Sequence, residues 1–302
     1  MAVEDRDCFI GKTIDNQLYT ILLKMVEKGY AEDIPSRECF NELTLDSQLY
    51  LVYAALKREL WTPTQIPTIF WYDAADLATI TATGSQVTQV LDKSGNSYTL
   101  TRASGTVGPN TGTRTLNGLN VFEWTGNNCL ENTAFTYNQA ANRLYIAMVL
   151  QVDSSASAQH FFMAGRVGST AAGTRLSGRF TAANTWEIVG GSNTGVNQQM
   201  SGGAAVRNQP YILLPKFNSA TSAWRVNGAQ TNTGNIGTNA FTIISLGHNE
   251  TEAQDLDGYI AEAVAFSDAA NQEIIEGYLA WKWGMQGNLP PTHPYKNFPP
   301  KV

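Results

Sequence analysis

The chain has 302 residues, which suits one large domain plus a small second one, and a chain of that size can bury roughly three-quarters of its unfolded surface without staples. A net charge of −6 with no cluster of Lys and Arg disfavours a nucleic-acid binder, which must neutralise phosphates. Cys8, Cys39 and Cys129 are odd in number and widely spaced, so neither a zinc site nor a disulfide framework is expected. We expect three reduced, mostly buried thiols.

The opening segment Met-Ala-Val-Glu-Asp-Arg-Asp7 is polar, without the basic-then-apolar order of a signal peptide. No apolar run approaches the roughly 20 residues of a membrane-spanning helix. The expected site of synthesis is the cytoplasm, with no membrane partner.

Composition changes near residue 66. Before it lie 11 acidic and 7 basic side chains; only 15 and 13 are spread over the remaining 236 residues. The spacing of Ile14, Leu18, Ile21, Leu22, Met25 and Val26 predicts an amphipathic helix, with Thr13 as cap, Asp15 matching the N-terminal dipole and Gly29 at its exit. A second helix is expected after Asp46, with Leu49, Val52, Tyr53, Leu56 and Leu60 on one face. Two short helices make a marginal core alone, so this part is expected to lean on a partner. Pro63 and Pro67 disfavour continuation and set the boundary between residues 1–66 and 67–302.

The second part is rich in Gly, Thr, Asn, Ser and aromatics, as strands joined by turns should be. Strands are expected at Ile69–Asp73, Arg143–Val152, Phe161–Val167, Arg175–Thr181, Pro210–Phe217, Ala223–Asn227, Phe241–Leu246 and Gly258–Phe266. In the second of these, Leu144, Ile146, Met148, Leu150 and Val152 alternate onto one face. Asn227-Gly228 signals a hairpin turn. Many short strands without alternating helices mean a β-sandwich. A closing helix is expected from Ser267 or Asp268 to Gly284, carrying Ile274, Ile275, Tyr278, Leu279, Trp281 and Trp283. After it come five prolines between Pro290 and Pro300, expected to run extended with Tyr295 and Phe298 as docking points.

Six stretches resemble a known family. Trp71-Tyr-Asp-Ala-Ala-Asp-Leu-Ala-Thr-Ile80, Val90-Leu-Asp-Lys-Ser-Gly-Asn96 and Leu119-Asn-Val-Phe-Glu-Trp124 are similar to early strands of concanavalin A-like, laminin-G-like jelly-roll domains. Gly258–Phe266, Glu276-Gly-Tyr-Leu-Ala-Trp-Lys-Trp-Gly284 and Leu289-Pro-Pro-Thr-His-Pro-Tyr295 resemble the ends of such domains in phage and bacterial surface proteins. The resemblance covers roughly residues 67 to 300. It implies a mainly β, concanavalin A-like antiparallel sandwich with a C-terminal helix, after a small helical N-terminal domain. It also implies relatives among bacteriophage capsid-decoration, head-fibre or tail proteins, or adhesins. The expected partners are therefore other virion proteins of a capsid or tail lattice, in a homo-oligomer at the virion surface, with host surface glycan as the alternative. The fold alone does not assign an activity.

The residues were weighed for chemistry as well. Glycosidases of this fold pair carboxylates as Glu-x-Asp-x-x-Glu on one strand, and no such spacing occurs; Glu123, Glu187 and Glu262 are isolated. His160, His248 and His293 lie far apart, and no Gly-x-Ser-x-Gly elbow marks a nucleophile. Gly190-Gly-Ser-Asn-Thr-Gly195 lacks the Lys-Ser/Thr of a phosphate loop. Glu250-Thr-Glu-Ala-Gln-Asp-Leu-Asp257 could offer oxygens to calcium, with Gly258 for a tight turn, but it is not the twelve-residue calcium loop. No catalytic residue, cofactor or metal is therefore assigned. Sugar binding needs an aromatic platform with planar polar groups, for which Trp186, Trp224, Asn193, Asn197 and Gln198 are suited in type. The expected glycan contacts are Trp186, Asn193 and Trp224.

Overall fold

The computed structural model describes residues 13–27, 36–56, 60–126, 128–153, 160–166, 173–191, 197–248 and 255–302. The chain forms two compact units, Met1–Trp61 with Asn297–Val302, and Thr62–Lys296. No described helix is long and apolar enough to cross a membrane.

The smaller unit holds α1 (Ile14–Glu27), α2 (Arg37–Asn41) and α3 (Leu45–Leu56). Thr13 caps α1 as expected, its Oγ1 accepting from Asn16 N at 3.4 Å. Ser36 caps α2, a helix absent from the sequence reading. Thr44 opens α3 by accepting from Ser47 N, two residues earlier than the Asp46 start expected. Tyr19, Leu22 and Phe40 form a small core, into which the wholly buried Gln48 donates to Phe40 O. Leu49 and Leu60, expected on the buried face, are exposed, and Leu60 leaves the helix to bridge Lys301. Gly29 lies outside the described residues.

The larger unit contains β1 (Thr68–Asp73), β2 (Ile80–Thr83), β3 (Gln86–Val90), β4 (Leu100–Arg102), β5 (Thr115–Leu116), β6 (Leu119–Asn120), β7 (Phe122–Thr125), β8 (Leu130–Asn132), β9 (Leu144–Val152), β10 (His160–Ala164), β11 (Ser177–Phe180), β12 (Thr185–Gly191), β13 (Asn197–Ala204), β14 (Pro210–Phe217), β15 (Ser222–Val226), β16 (Ala229–Gly234), β17 (Ile244–Leu246), β18 (Asp257–Phe266) and helix α4 (Gln272–Lys282). One sheet runs β1-β18-β9-β14-β15-β16, with β7 also on β18; the other runs β13-β12-β11-β10-β17-β8-β4-β3-β2. The strand pairs within both are antiparallel. Both sheets feed one core: Phe70, Ile146, Met148, Leu213 and Ala263 from the first meet Leu130, Phe162, Ile188 and Leu246 from the second. This is a mainly β antiparallel sandwich with a C-terminal helix.

The helix accounts for a departure from simple alternation. In β9 the even residues from Leu144 to Val152 enter the sandwich core as expected, yet Tyr145, Ala147 and Val149 are buried too. Helix α4 packs on β9 and β14 and covers that outer face, so the strand is apolar on both sides. Asp268 caps the single 3-10 turn before α4, accepting from Ala270 N. At its end Gly284 adopts φ +72°, and Met285 N donates back to Ala280 O, closing a left-handed cap.

The tail after α4 is not extended over residues 291–297 but folds in turns. Trp281 Nε1 donates to Tyr295 O at 2.8 Å, and a Cβ at Gly277 would come within 2.6 Å of the Tyr295 side chain. Tyr295 is thus a docking point on α4. Of the thiols, Cys129 is buried but Cys39 is exposed, against expectation, because α2 turns only Phe40 inward; Cys8 lies outside the described residues.

Candidate functional site

Helix α4 is anchored to the outer face of the first sheet by two buried carboxylates. Glu262 of β18 is 1 % exposed and accepts four bonds: from Trp71 Nε1 (2.7 Å), Tyr278 Oη (2.8 Å), Lys282 Nζ (2.8 Å) and Trp283 Nε1 (2.7 Å). Lys282 also reaches Asp73 at 2.7 Å, and Lys93 joins Asp73 to Asp76. Burial pushes the Glu262 carboxyl up, against the pull of Lys282, and pushes the Tyr278 phenol far up. The hydrogen bond from Lys93 holds the Asp76 carboxyl below its ordinary value. Glu276 of α4 is wholly buried and takes a two-pronged bond from Arg225 of β15, at 2.8 and 2.7 Å. That bond holds the Arg225 guanidinium up.

These groups hold the helix; they do not present a reaction centre. Glu187 pairs with Arg179 at 2.6 Å, and Glu123 accepts from Thr113. The three strand carboxylates therefore have structural partners. His248 Nδ1 hydrogen-bonds Asp255, and buried His293 accepts from Tyr295 N. The His160 side chain lies outside what is described. No group of three or more His, Cys, Asp or Glu residues among the described residues could hold a metal. Residues 250–254 of the acidic stretch are outside the description. Gly258 does not make a turn; it sits inside β18, where a Cβ would lie 2.0 Å from Gln151 O.

The expected aromatic platform is not on the surface. Trp186 is 1 % exposed and packed edge-on against Phe162, Phe180 and Tyr211. Trp224 is fully buried and donates its indole N–H to Met200 O at 3.0 Å. Both indoles face the space between the sheets, where each buries a large apolar area, so neither can stack on a sugar. Asn193 lies outside the described residues, as does the side chain of Asn197; Gln198 is half-buried on β13.

A cleft of about 520 Å³ opens where the C-terminal end of α4 meets the start of β14. It is lined by Leu116, Gln209, Pro210, Tyr211, Asn227, Trp283, Gly284, Met285 and Asn288, with no charged residue. The cap at Gly284 turns Met285 into this position, and Asn117 secures the same corner by donating to Lys282 O at 3.0 Å. Tyr211 is fixed twice: its hydroxyl accepts from Val206 N at 2.9 Å, and its ring meets Trp186 with centroids 5.3 Å apart. Asn227 and Gly228 both have positive φ, the hairpin geometry expected from this pair. Asn227 Oδ1 accepts from Ile212 N, so its amide is held at the rim. Sequence reasoning used Asn227 only as a turn signal and passed over Tyr211, whose ring partner Trp186 lies on another strand.

No protein-family model and no curated protein sequence matches the chain. Among solved structures, the binding domain of botulinum neurotoxin serotype D/C aligns with a TM-score of 0.49 and 13 % identity over 70 % of this chain and 52 % of that one. The binding domain of botulinum neurotoxin DC in complex with rat synaptotagmin II gives 0.47 and 14 %, over 66 % and 48 %. Trypanosoma rangeli sialidase with a difluorosialic acid gives 0.44 and 12 %, over 68 % and 31 %. The chain thus spans about half the length of the neurotoxin domains and about a third of the sialidase.

Proposed function

We propose that the chain is a non-catalytic binding module whose sandwich takes a saccharide in the cleft beside Tyr211. The observation that carries this reading is the lining: two aromatic side chains, Trp283 and Tyr211, the latter locked by two contacts, with three amide side chains and no carboxylate. An aromatic ring can pack against the apolar face of a sugar, and amides can bond vicinal hydroxyls in their own plane. Glycoside hydrolysis would need two carboxyl groups flanking the ligand, and the lining contains none. The test is a glycan array probed with the full chain, followed by the double variant Gln209→Ala/Asn288→Ala, both residues being exposed and outside the core. Binding to a neutral glycan that the double variant weakens at least tenfold supports the reading. Absence of any bound glycan, or equal binding by the variant, refutes it.

A second reading concerns the helical unit. Its own core is small, while Ile14, Leu23, Leu45 and Leu49 remain exposed on it. We read it as the part that docks the chain, as a homo-oligomer, onto a bacteriophage capsid or tail lattice. Cryo-electron microscopy of the purified particle tests this: density for the chain held through residues 1–66 supports it, and a particle without a copy refutes it.

A further inference from the structure

A second pocket lies at the opposite end of α4, where β9 begins and β14 and β18 end. It has a volume of about 410 Å³ and is lined by Ala141, Asn142, Arg143, Asn218 and Ser267. Its chemistry differs from that of the first cleft, because a pair of cations stands beside it. Tyr145 of β9 is opposite Lys216 of β14 on one side and Phe266 of β18 on the other, and stacks on the Phe266 ring at 5.0 Å. Arg143 precedes Tyr145 by two residues, on the same face of the chain, and its charge opposes the burial that raises the Tyr145 phenol. The main chain at Arg143 is tied down by Tyr137, whose hydroxyl donates to Arg143 O at 3.1 Å. Arg143 and Lys216 therefore share one end of the outer sheet face.

Among the described residues, neither of these cations has a carboxylate within ion-pair distance. The nearby acid, Asp268, uses Oδ1 to cap the turn before α4. Two like charges held together without a counter-charge form a standing positive potential at a polar concavity. Burial and the adjacent guanidinium both push the Lys216 ammonium down, a like-charge cost that a bound anion would relieve.

We propose that this pocket is an anion site that receives the carboxylate or sulfate ester of an acidic saccharide, with Arg143 and Lys216 as its cationic contacts. The side chains of Asn142, Asn218 and Ser267 supply donors and acceptors for neighbouring hydroxyls. Arg143 offers the planar fork that suits either oxyanion, and Lys216 a point charge beside it. The proposal is independent of the neutral cleft at the other end of the helix.

Titration calorimetry of the full chain at low ionic strength tests it with three probes: trigalacturonate, its methyl ester and sulfated lactose. The expected result is that at least one anionic probe binds and that the methyl ester binds at least tenfold more weakly. The affinity of the bound anionic probe should fall about tenfold in Arg143→Gln and in Lys216→Gln, and by less in Arg143→Lys, which keeps the charge but loses the fork. Which anionic probe binds more tightly identifies the source of the charge. Asn142→Asp adds a negative charge at an exposed position without removing packing, so it should weaken the anionic probes while leaving the melting temperature unchanged. The proposal is overturned if neither anionic probe binds more tightly than the methyl ester, or if Arg143→Gln and Asn142→Asp both bind as wild type. It is equally overturned if anion binding is lost in Gln209→Ala/Asn288→Ala, which would place it in the other cleft.

Discussion

Removing the two partners of the Arg225–Glu276 pair should cost unequal amounts. The Arg225 side chain is 16 % exposed and also donates to Gly228 O at 2.8 Å, whereas the Glu276 side chain is completely buried. Arg225→Ala leaves a carboxylate under the helix with only His293 nearby, at 3.4 Å. Stripping one partner from a buried pair costs about 3–5 kcal/mol, because the remaining charge is neither solvated nor paired. Glu276→Gln keeps one accepting oxygen for the guanidinium, and Arg225 can turn partly to water, so about 1–2 kcal/mol is expected. Urea unfolding followed by tryptophan fluorescence reads both as shifts of the sandwich transition at constant slope. Equal losses, or a larger loss for Glu276→Gln, would refute the argument from unequal burial.

Three further outcomes follow from the packing. Trp186→Ala should lower sandwich stability by about 3–5 kcal/mol, measured by denaturant melts, because it opens a cavity among three rings; a stable variant that merely lost glycan binding would contradict its core placement. Gly247→Ala should cost more than about 2 kcal/mol in the same assay, since its φ is +80° and a Cβ would lie 1.7 Å from Trp124 Nε1. Burial pushes the Tyr259 phenol from 10.0 up to about 12, with Arg114 opposing. A folded-state value above the unfolded one means a contribution fully present below pH 10 and lost as pH rises through 12. In alkaline melts, wild type should therefore lose up to about 2.7 kcal/mol that Tyr259→Phe keeps; parallel pH profiles would disprove this.

The sandwich was legible where local pattern and local partners coincide. The stretch Pro210–Phe217 forms the strand over those same residues, and Asn227-Gly228 makes its hairpin, because turn chemistry is decided by adjacent residues. Strands β2, β3 and β13 went unread: polar positions such as Thr81, Gln89, Gln198 and Ser201 interrupt their apolar pattern, and pairing to neighbours holds them in the sheet. The two indoles among the candidate contacts are buried for a different reason. Trp186 and Trp224 have the right chemistry for sugar, but strand alternation alone does not say which face is the core. The cleft was beyond sequence reading, since it joins Leu116, Tyr211 and Asn288 through the placement of one helix end.

The position of β18 also governs when the sandwich can be assembled. This strand lies between β1 and β9 and pairs Thr68 with Phe266, although nearly the whole sandwich intervenes in the chain. During synthesis, β1 and β9 therefore emerge with a missing neighbour between them, and their apolar rows cannot close until residues 257–266 have left the ribosome. Contacts of such long sequence separation make folding slow and leave sheet edges open for longer. A polypeptide interrupted before β18 lacks the strand that joins β1 and β7 to the rest of the first sheet, so a truncation reaching that far removes a seam of the sheet and not merely an edge.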